Sequence, residues 1–404
     1  MSSRTRLIVF FVSIPIIAFT LIGGYLGQVS AGEDTYRHLR IFEDVVSLIS
    51  NNYVEDVDLD DVMNGALRGL TEGLDADSAY LSQEDVDRLE SGRPLPDGGV
   101  GLTVTRRYYI QVVAAHDGSP AAEAAILPGD FIRAIDDEPT RFMSAIEGER
   151  KLRGEPGSSV TLSLIRGSTQ EPFDIELVRT RMRPVAVTGR ILSDSSDGTI
   201  GYLRVPGFDE DSVAQISETV TSLTDRGALH LIIDIRNAAS GTYRTAVDAA
   251  RLFVAGGTLV IREEHGGDQT PLEAPTGNDA ISTPVTVLIN FGSSGPAELF
   301  ASALTERDRA ITVGQRTAGR TSLQKLIRLP DGTGLWLSYA RYLKASGDPI
   351  HRYGVEPTVP VEVKVPELGE TPPPTEDPAL ERAIQEVQAQ GQTRTQAARV
   401  TAAA

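Results

Sequence analysis

Leu231-Ile232-Ile233-Asp234-Ile235-Arg236-Asn237-Ala238-Ala239-Ser240-Gly241 opens as an almost continuous apolar run and closes in a turn. A run without polar alternation belongs to a strand covered on both faces. Ile200 to Val205 has the same largely apolar character, and Val285 to Asn290 and Ala310 to Val313 supply further strands. Between them, Asp211 to Asp225, Tyr243 to Val254 and Ala297 to Thr305 read as helices. Strands and helices in alternation predict a layered α/β domain, here over residues 181–365.

Outward from that core, the chain changes character on both sides. Residues 97–180 form short β-type runs separated by turns: Leu102 to Thr105, Ile110 to Ala114, Phe131 to Ile135, Val160 to Ile165 and Phe173 to Leu177. Two helical stretches sit among them, around Pro120 to Ala125 and at Met143 to Leu152. Residues 32–92 are helical in pattern, with Phe42, Val45, Val46 and Ile49, then Leu59, Val62, Ala66 and Leu70, at helical spacing. Leu74 to Leu81 reads as a helix end and turn, and the Gly- and Pro-rich stretch Gly92 to Gly98 as a linker. At the other end, 366–404 reads as a Pro-rich linker, a short amphipathic helix from Ala379 to Gln388 and a disordered Ala/Thr/Gln tail.

The bulk numbers exclude several classes of function. A hydrophobic fraction of 40% and a charged fraction of 23% are those of folded protein, and 404 residues suggest two or three domains. Acidic residues outnumber basic ones by 56 to 38, a net charge of -18 that would repel a phosphate backbone, so nucleic acid is not an expected partner. The absence of cysteine removes disulfides, thiolate metal sites and cysteine nucleophiles. Arg4 and Arg6 precede an apolar run from Leu7 to Leu26, which is the length of a membrane span. With Glu33 and Asp34 after it, residues 1–31 are expected to be a membrane anchor that places the remainder on the extracytoplasmic side. A cleavable signal peptide is the alternative, since Val29-Ser30-Ala31 is a small-residue pattern of the kind signal peptidases accept.

Gly118-Ser119-Pro120-Ala121, followed by Ile126-Leu127-Pro128-Gly129-Asp130-Phe131-Ile132, resembles a PDZ domain of the protease-associated type. Arg153-Gly154-Glu155-Pro156-Gly157 fits the later half of such a domain. The resemblance implies that the C-terminal segment of another protein adds as an extra strand, its carboxylate held by backbone N–H groups of a glycine loop. That loop would be Gly99, Val100, Gly101 and Leu102, with Leu102 to Thr105 as the receiving edge and Met143 to Leu152 as the opposite wall.

The rest is similar to the carboxyl-terminal processing serine peptidases, or tail-specific proteases. Leu74 to Leu81 resembles their "LDPHSxYL" turn, Ile200 to Arg204 their first core strand, Leu231 to Gly241 "LDLRxNPGG", Asn290 to Glu298 "NxxSASASE" and Thr317 to Gln324 "TFGKGSVQ". Arg341-Tyr342 and Gly354-Val355-Glu356-Pro357 match the closing segment. These motifs stand in the family's order across roughly residues 36 to 390. They imply a crotonase- or Clp-like layered α/β core with an inserted β-rich PDZ domain and an N-terminal helical region.

The family uses a Ser nucleophile, a Lys base and an assisting Gln. Laying "SASASE" so that its Glu falls on Glu298 puts the nucleophile on Gly295, which has no side chain. In "TFGKGSVQ" the Lys falls on Arg320, and the interval 320 − 295 = 25 agrees with the family's spacing. Arginine stays protonated in proteins and cannot take the serine proton. Gln324 is retained. One oxyanion donor would be the N–H of the residue after the nucleophile, here Pro296, which has none. The other falls on Ser240 of the Ala238-Ala239-Ser240-Gly241 turn, a residue that adopts φ > 0 less readily than glycine. Losing one such donor costs ~10²–10³ in rate, and losing a nucleophile on the order of 10⁶. The resemblance read this way implies a pseudopeptidase that binds tails without cutting them.

The alternative is a live endopeptidase with a displaced nucleophile. Ser294 is the leading candidate, then Ser293, with Lys325 or a histidine as base, although both serines also suit a turn or the cap of the helix that follows. No cofactor is implied. Glu263 to Asp268 carries metal-capable side chains, but it has no second His at ligand spacing and reads as a polar loop. Trp336 reads as core packing, and Asp234 with Arg236 as a structural ion pair. Pairing with a second copy or with an active paralogue is the remaining partner class.

Overall fold

The computed structural model describes residues 37–167, 171–195, 198–277, 279–366 and 376–403. The expected anchor, 1–31, lies outside them. Among the described residues no helix is long and apolar enough to cross a membrane. Up to Leu70 the described chain is helical, with one helix at 37–52 and a second over Leu59–Glu72. Asp58 starts the second, its Oδ1 accepting from the amides of Asp60 at 2.9 Å and Asp61 at 3.4 Å. Phe42 and Val45, apolar at helical spacing, are exposed.

The chain from Thr71 onward forms a separate compact unit. Its centre is a six-stranded sheet in the order Thr188–Ser195, Gly198–Arg204, Ala228–Asp234, Val285–Ile289, Ala310–Gly314, Val359–Pro360. The first pair is antiparallel and every later one parallel. Helices Ser212–Asp225, Tyr243–Arg251 and Pro296–Glu306 connect these strands and share one apolar core with them. Pro296 through Leu304 is buried all round, so that helix is the innermost element of the layer. The opposite face of the sheet, with Ile200, Ile232, Leu288 and Val313, is covered by Ala379, Ala383 and Val387.

Those three residues belong to a helix that spans Pro378–Ala403. The expected short helix ending at Gln388 with a disordered tail is therefore corrected: the helix runs on. Residues 389–403 include five Ala, three Gln and two Arg, all strong helix formers. Leu74 to Leu81 is also more than a turn, since Ala79–Leu81 pairs antiparallel with Gly334 to Trp336. That strand is the edge of a second, antiparallel sheet built on Gly334–Lys344, Gly257–Glu264, Gln269–Ala274 and Ser322–Arg328. Trp336 packs there against Ala79, Leu81 and Val86.

Between Leu102 and Val178 the strands Leu102–Arg107, Tyr109–Ala115, Phe131–Ile135, Ser159–Ile165 and Phe173–Val178 form one sheet in chain order. Each contains or closely overlaps a run expected from sequence. Asp130 of the Pro-Gly-Asp segment is 1% exposed and takes Arg166 in a two-pronged pair, Oδ1 to Nε and Oδ2 to Nη2, both at 2.7 Å. It also accepts from the Leu127 amide at 2.8 Å, so the buried charge is fully engaged. Leu102–Arg107 is an edge strand, and the helix Ala145–Leu152 lies against it. A second two-pronged pair, Arg204 Nε and Nη2 to Asp117 Oδ2 and Oδ1 at 2.7 Å, ties this domain to the α/β core.

Candidate active site

Parallel α/β sheets place their working residues beyond the carboxyl ends of the strands. Three neighbouring strands do so here. Ala228–Asp234 leads into Asn237 to Gly241, Val285–Ile289 into Asn290 to Gly295, and Ala310–Gly314 into Gln315 to Arg320. The first two turns are laced together by a reciprocal pair: Asn290 Nδ2 donates to Asn237 Oδ1 at 2.8 Å, and the Asn237 amide donates to Asn290 Oδ1 at 3.0 Å. The Ser294 amide adds a bond to the Ala238 carbonyl at 3.2 Å.

Gly295 caps the helix Pro296–Glu306 with φ 60 and ψ -109, a strand-to-helix turn in the left-handed half of φ space. The space is open to a side chain: a Cβ there would stand 3.5 Å from the Arg320 carbonyl and 3.8 Å from the Tyr243 hydroxyl. The backbone thus makes a sharp strand-to-helix turn at a residue that has no side chain but has room for one. Pro296 follows as the first residue of the helix and offers no N–H.

Arg320 reaches Asp77, with Nε at 2.9 Å and Nη2 at 2.6 Å from the same carboxylate oxygen. Burial would weaken the guanidinium's hold on its proton, but the Asp77 charge outweighs it and pushes Arg320 above its already high range. The position is a fixed cation. Asp77 escapes a reading of the sequence alone, although a signal is present: laying "LDPHSxYL" over Leu74 to Leu81 puts Asp77 where the family has His. Arg320, at the expected base position, and Asp77 are the two halves of one ion pair.

Glu298, which in the sequence serves only to set the register, organises the whole turn. It is fully buried and accepts four hydrogen bonds: from the Gly295 amide at 2.9 Å, the Thr317 hydroxyl at 2.5 Å, the Gly319 amide at 2.6 Å and the Arg320 amide at 2.8 Å. Burial pushes its carboxyl above the ordinary range, and the four donors oppose that shift. Tyr243, equally silent in the sequence, donates its hydroxyl to the carbonyls of Arg320 at 3.1 Å and Ser322 at 3.2 Å. Burial, then the Glu298 charge, raise the tyrosine pKa, so it remains a neutral donor.

The remaining expected residues are more dispersed. Gln324 donates to the Ser322 and Ser338 hydroxyls at 2.8 and 3.3 Å. Ser240 bonds Asp209 at 3.2 Å and has no left-handed backbone; Asn237 at φ 58 and Gly241 at φ 101 make the turn instead. Ser293 is committed, donating to the Ile235 carbonyl at 2.9 Å and accepting from the Asn290 amide at 3.0 Å. Ser294 is buried, and its hydroxyl has no hydrogen-bond partner among the described residues. Lys325 points to solvent, its ammonium 5.3 Å from the Tyr339 ring centre. His351 keeps Nδ1 unpaired, with Nε2 3.9 Å from Asp75, and burial lowers its pKa. Asp234 and Arg236 do pair, Nη2 to Oδ2 at 2.6 Å, and Arg236 passes on to Asp377 at 2.8 Å. Among the described residues no cluster of His, Asp and Glu is arranged to hold a metal.

The glycine loop lies apart from this turn and differs from expectation at one end. Gly98 and Gly99 are themselves a short strand, sandwiched between Thr180–Arg181 and Arg153–Gly154, so Gly99 serves that sheet instead of lying in the open loop. Val100, Gly101 and Leu102 make the bend into the edge strand. At Gly101 (φ 75) a Cβ would stand 2.1 Å from the Ser119 side chain, so only glycine fits.

Comparison with known proteins agrees with this architecture. Residues 199–361 match peptidase family S41, and residues 111–166 match a PDZ domain. A carboxy-terminal-processing protease of Bartonella bacilliformis is 30% identical over 370 residues, covering 90% of this chain and 84% of that protein. Carboxy-terminal processing protease CtpA of Bacillus subtilis is 28% identical, with 84% of this chain and 72% of the relative covered. Among solved structures, the photosystem II D1 C-terminal processing protease superposes with a TM-score of 0.67 at 25% identity, covering 80% of this chain and 92% of that one. The chain belongs to the carboxyl-terminal processing peptidases of family S41 and carries a PDZ domain ahead of its α/β core.

Proposed function

We propose that this protein captures C-terminal segments of other proteins through its PDZ domain and holds them against a peptidase core that does not cut them. The observation that carries the reading is the Arg320–Asp77 ion pair beside Gly295: the hydroxyl is missing, and the base position holds a group that cannot accept its proton. The names of the relatives, which describe processing at carboxyl termini, favour tails as the ligand class. The apolar run Leu7 to Leu26 tethers the chain to a membrane with the folded part on the extracytoplasmic side. In that place it regulates an active relative or presents tails to it, alone or as a pair of copies.

The test is a gain of function. Wild type and the triple variant Gly295→Ser, Pro296→Ala, Arg320→Lys are incubated with an unfolded protein substrate, and the products are read by mass spectrometry. Measurable cleavage by the wild type sinks the proposal. The competing reading, with Ser294 as a displaced nucleophile, is favoured only by its unpaired hydroxyl. It requires a fluorophosphonate probe to label the wild type and Ser294→Ala to abolish the label.

A further inference from the structure

A cavity of about 310 Å³ opens where the far end of the edge strand Leu102–Arg107 meets the α/β core. Its walls carry five arginines, among them Arg107 and Arg352, against two acidic residues, Asp75 and Asp77. The walls are thus richer in cations than in anions, in a chain whose net charge is -18. Three of the arginines are already matched: Arg106 with Glu72 at 2.6 Å, Arg316 with Glu356 at 3.7 Å, and Arg320 with Asp77 at 2.6 Å. Arg107 and Arg352 form no ion pair among the described residues and are exposed. The Arg106 Nε and the Thr105 hydroxyl in the same wall also lack hydrogen-bond partners.

Position along the strand gives this charge a meaning. A tail bound in the PDZ manner runs antiparallel to the edge strand, its carboxylate at Val100 to Leu102 and its upstream residues toward Arg107. Paired strands advance about 3.3 Å per residue, so the six residues Leu102–Arg107 span roughly 20 Å. The tail residue that reaches the cavity is therefore about the fifth or sixth from the end. From this juxtaposition we infer that the cavity selects tails with a carboxylate side chain, Asp or Glu, about five or six residues before the C-terminus, using Arg107 and Arg352. This inference rests on the tail-binding reading and adds a second point of recognition to it.

The experiment uses two pools of fluorescein-labelled decapeptides with the last three positions randomised, one carrying Glu and the other Gln at the fifth and sixth residues from the end. Fluorescence polarisation against the full chain should show the Glu pool binding about fivefold tighter, the weight of a partly exposed pair, and less so in high salt. The double substitution Arg107→Gln with Arg352→Gln should erase that preference while leaving the Gln pool's affinity unchanged. Amidated versions of both pools should bind more weakly while the Glu pool keeps its advantage, separating a side-chain carboxylate from the terminal one. Equal binding of the two free-acid pools overturns the inference and leaves tail binding intact. Failure of both pools to bind overturns the tail reading and the inference with it.

Discussion

A side chain placed back at position 295 tests the turn directly. Gly295 sits at φ 60 and ψ -109, outside the regions that L-residues populate. Holding a residue there costs about 1–3 kcal/mol. Overpacking adds nothing, because the nearest atom to a new Cβ is the Arg320 carbonyl at 3.5 Å, an ordinary contact. Gly295→Ala and Gly295→Ser should therefore each destabilise the core by about 1–2 kcal/mol, and by similar amounts, since the strain lies in the backbone. At about 2–4 °C per kcal/mol the core transition should fall by roughly 2–8 °C in differential scanning calorimetry. Neither variant should cleave an unfolded substrate, because Arg320 remains paired with Asp77. An alanine variant that melts with the wild type, or a serine variant that melts higher, refutes the claim of a strained turn. Cleavage by the serine variant alone refutes the claim that no base is present.

Restoring activity should need more than the three substitutions named above. The lysine introduced by Arg320→Lys, beside an unchanged Asp77, would be held protonated by that charge, so adding Asp77→His should raise cleavage at least tenfold over the triple variant. Equal rates would show that Asp77 does not control the base. Gly101→Val should abolish peptide binding by polarisation and lower the stability of the PDZ domain, since its Cβ would overlap Ser119; unchanged affinity removes the glycine loop from the binding site. Asp234 is held below the ordinary carboxylate range: burial opposes this, but Arg236 and Arg204 outweigh it. Its stabilisation is thus complete above the unfolded pKa of about 4 and is lost as pH falls through its lower folded value. Asp234→Asn should be less stable than wild type by about 3–5 kcal/mol at pH 7, and the gap should narrow as the pH falls below about 4 in urea titrations. A gap independent of pH would mean that packing, not charge, is lost.

The buried strands and the PDZ framework can be read from sequence because their signals are local. Leu231 to Ile235 declares itself by composition, and Asp130 by its place in Pro-Gly-Asp. The second sheet is harder, since Arg262, Glu263 and Glu264 end one strand in charge and Pro271 interrupts its partner. Arg320 can be named but not explained, because its partner lies 243 residues away and the pairing exists only in the fold. Glu298 gives no sign of its four donors, since three are backbone amides that any sequence supplies. Gly99 reads as loop because a two-residue strand leaves no periodic trace.

The covering of the sheet's second face by Ala379, Ala383 and Val387 bears on the chain's own fate. Asp377, just before that helix, is clasped by Arg236 at the end of a central strand. Loss of Asp377 with the helix that follows would remove the clasp and lay bare Ile232, Leu288 and Val313, an apolar surface of the kind that drives aggregation. In a member of a family named for processing at carboxyl termini, the helix Pro378–Ala403 is itself part of the wall, and cutting it away would strip one face of the central sheet.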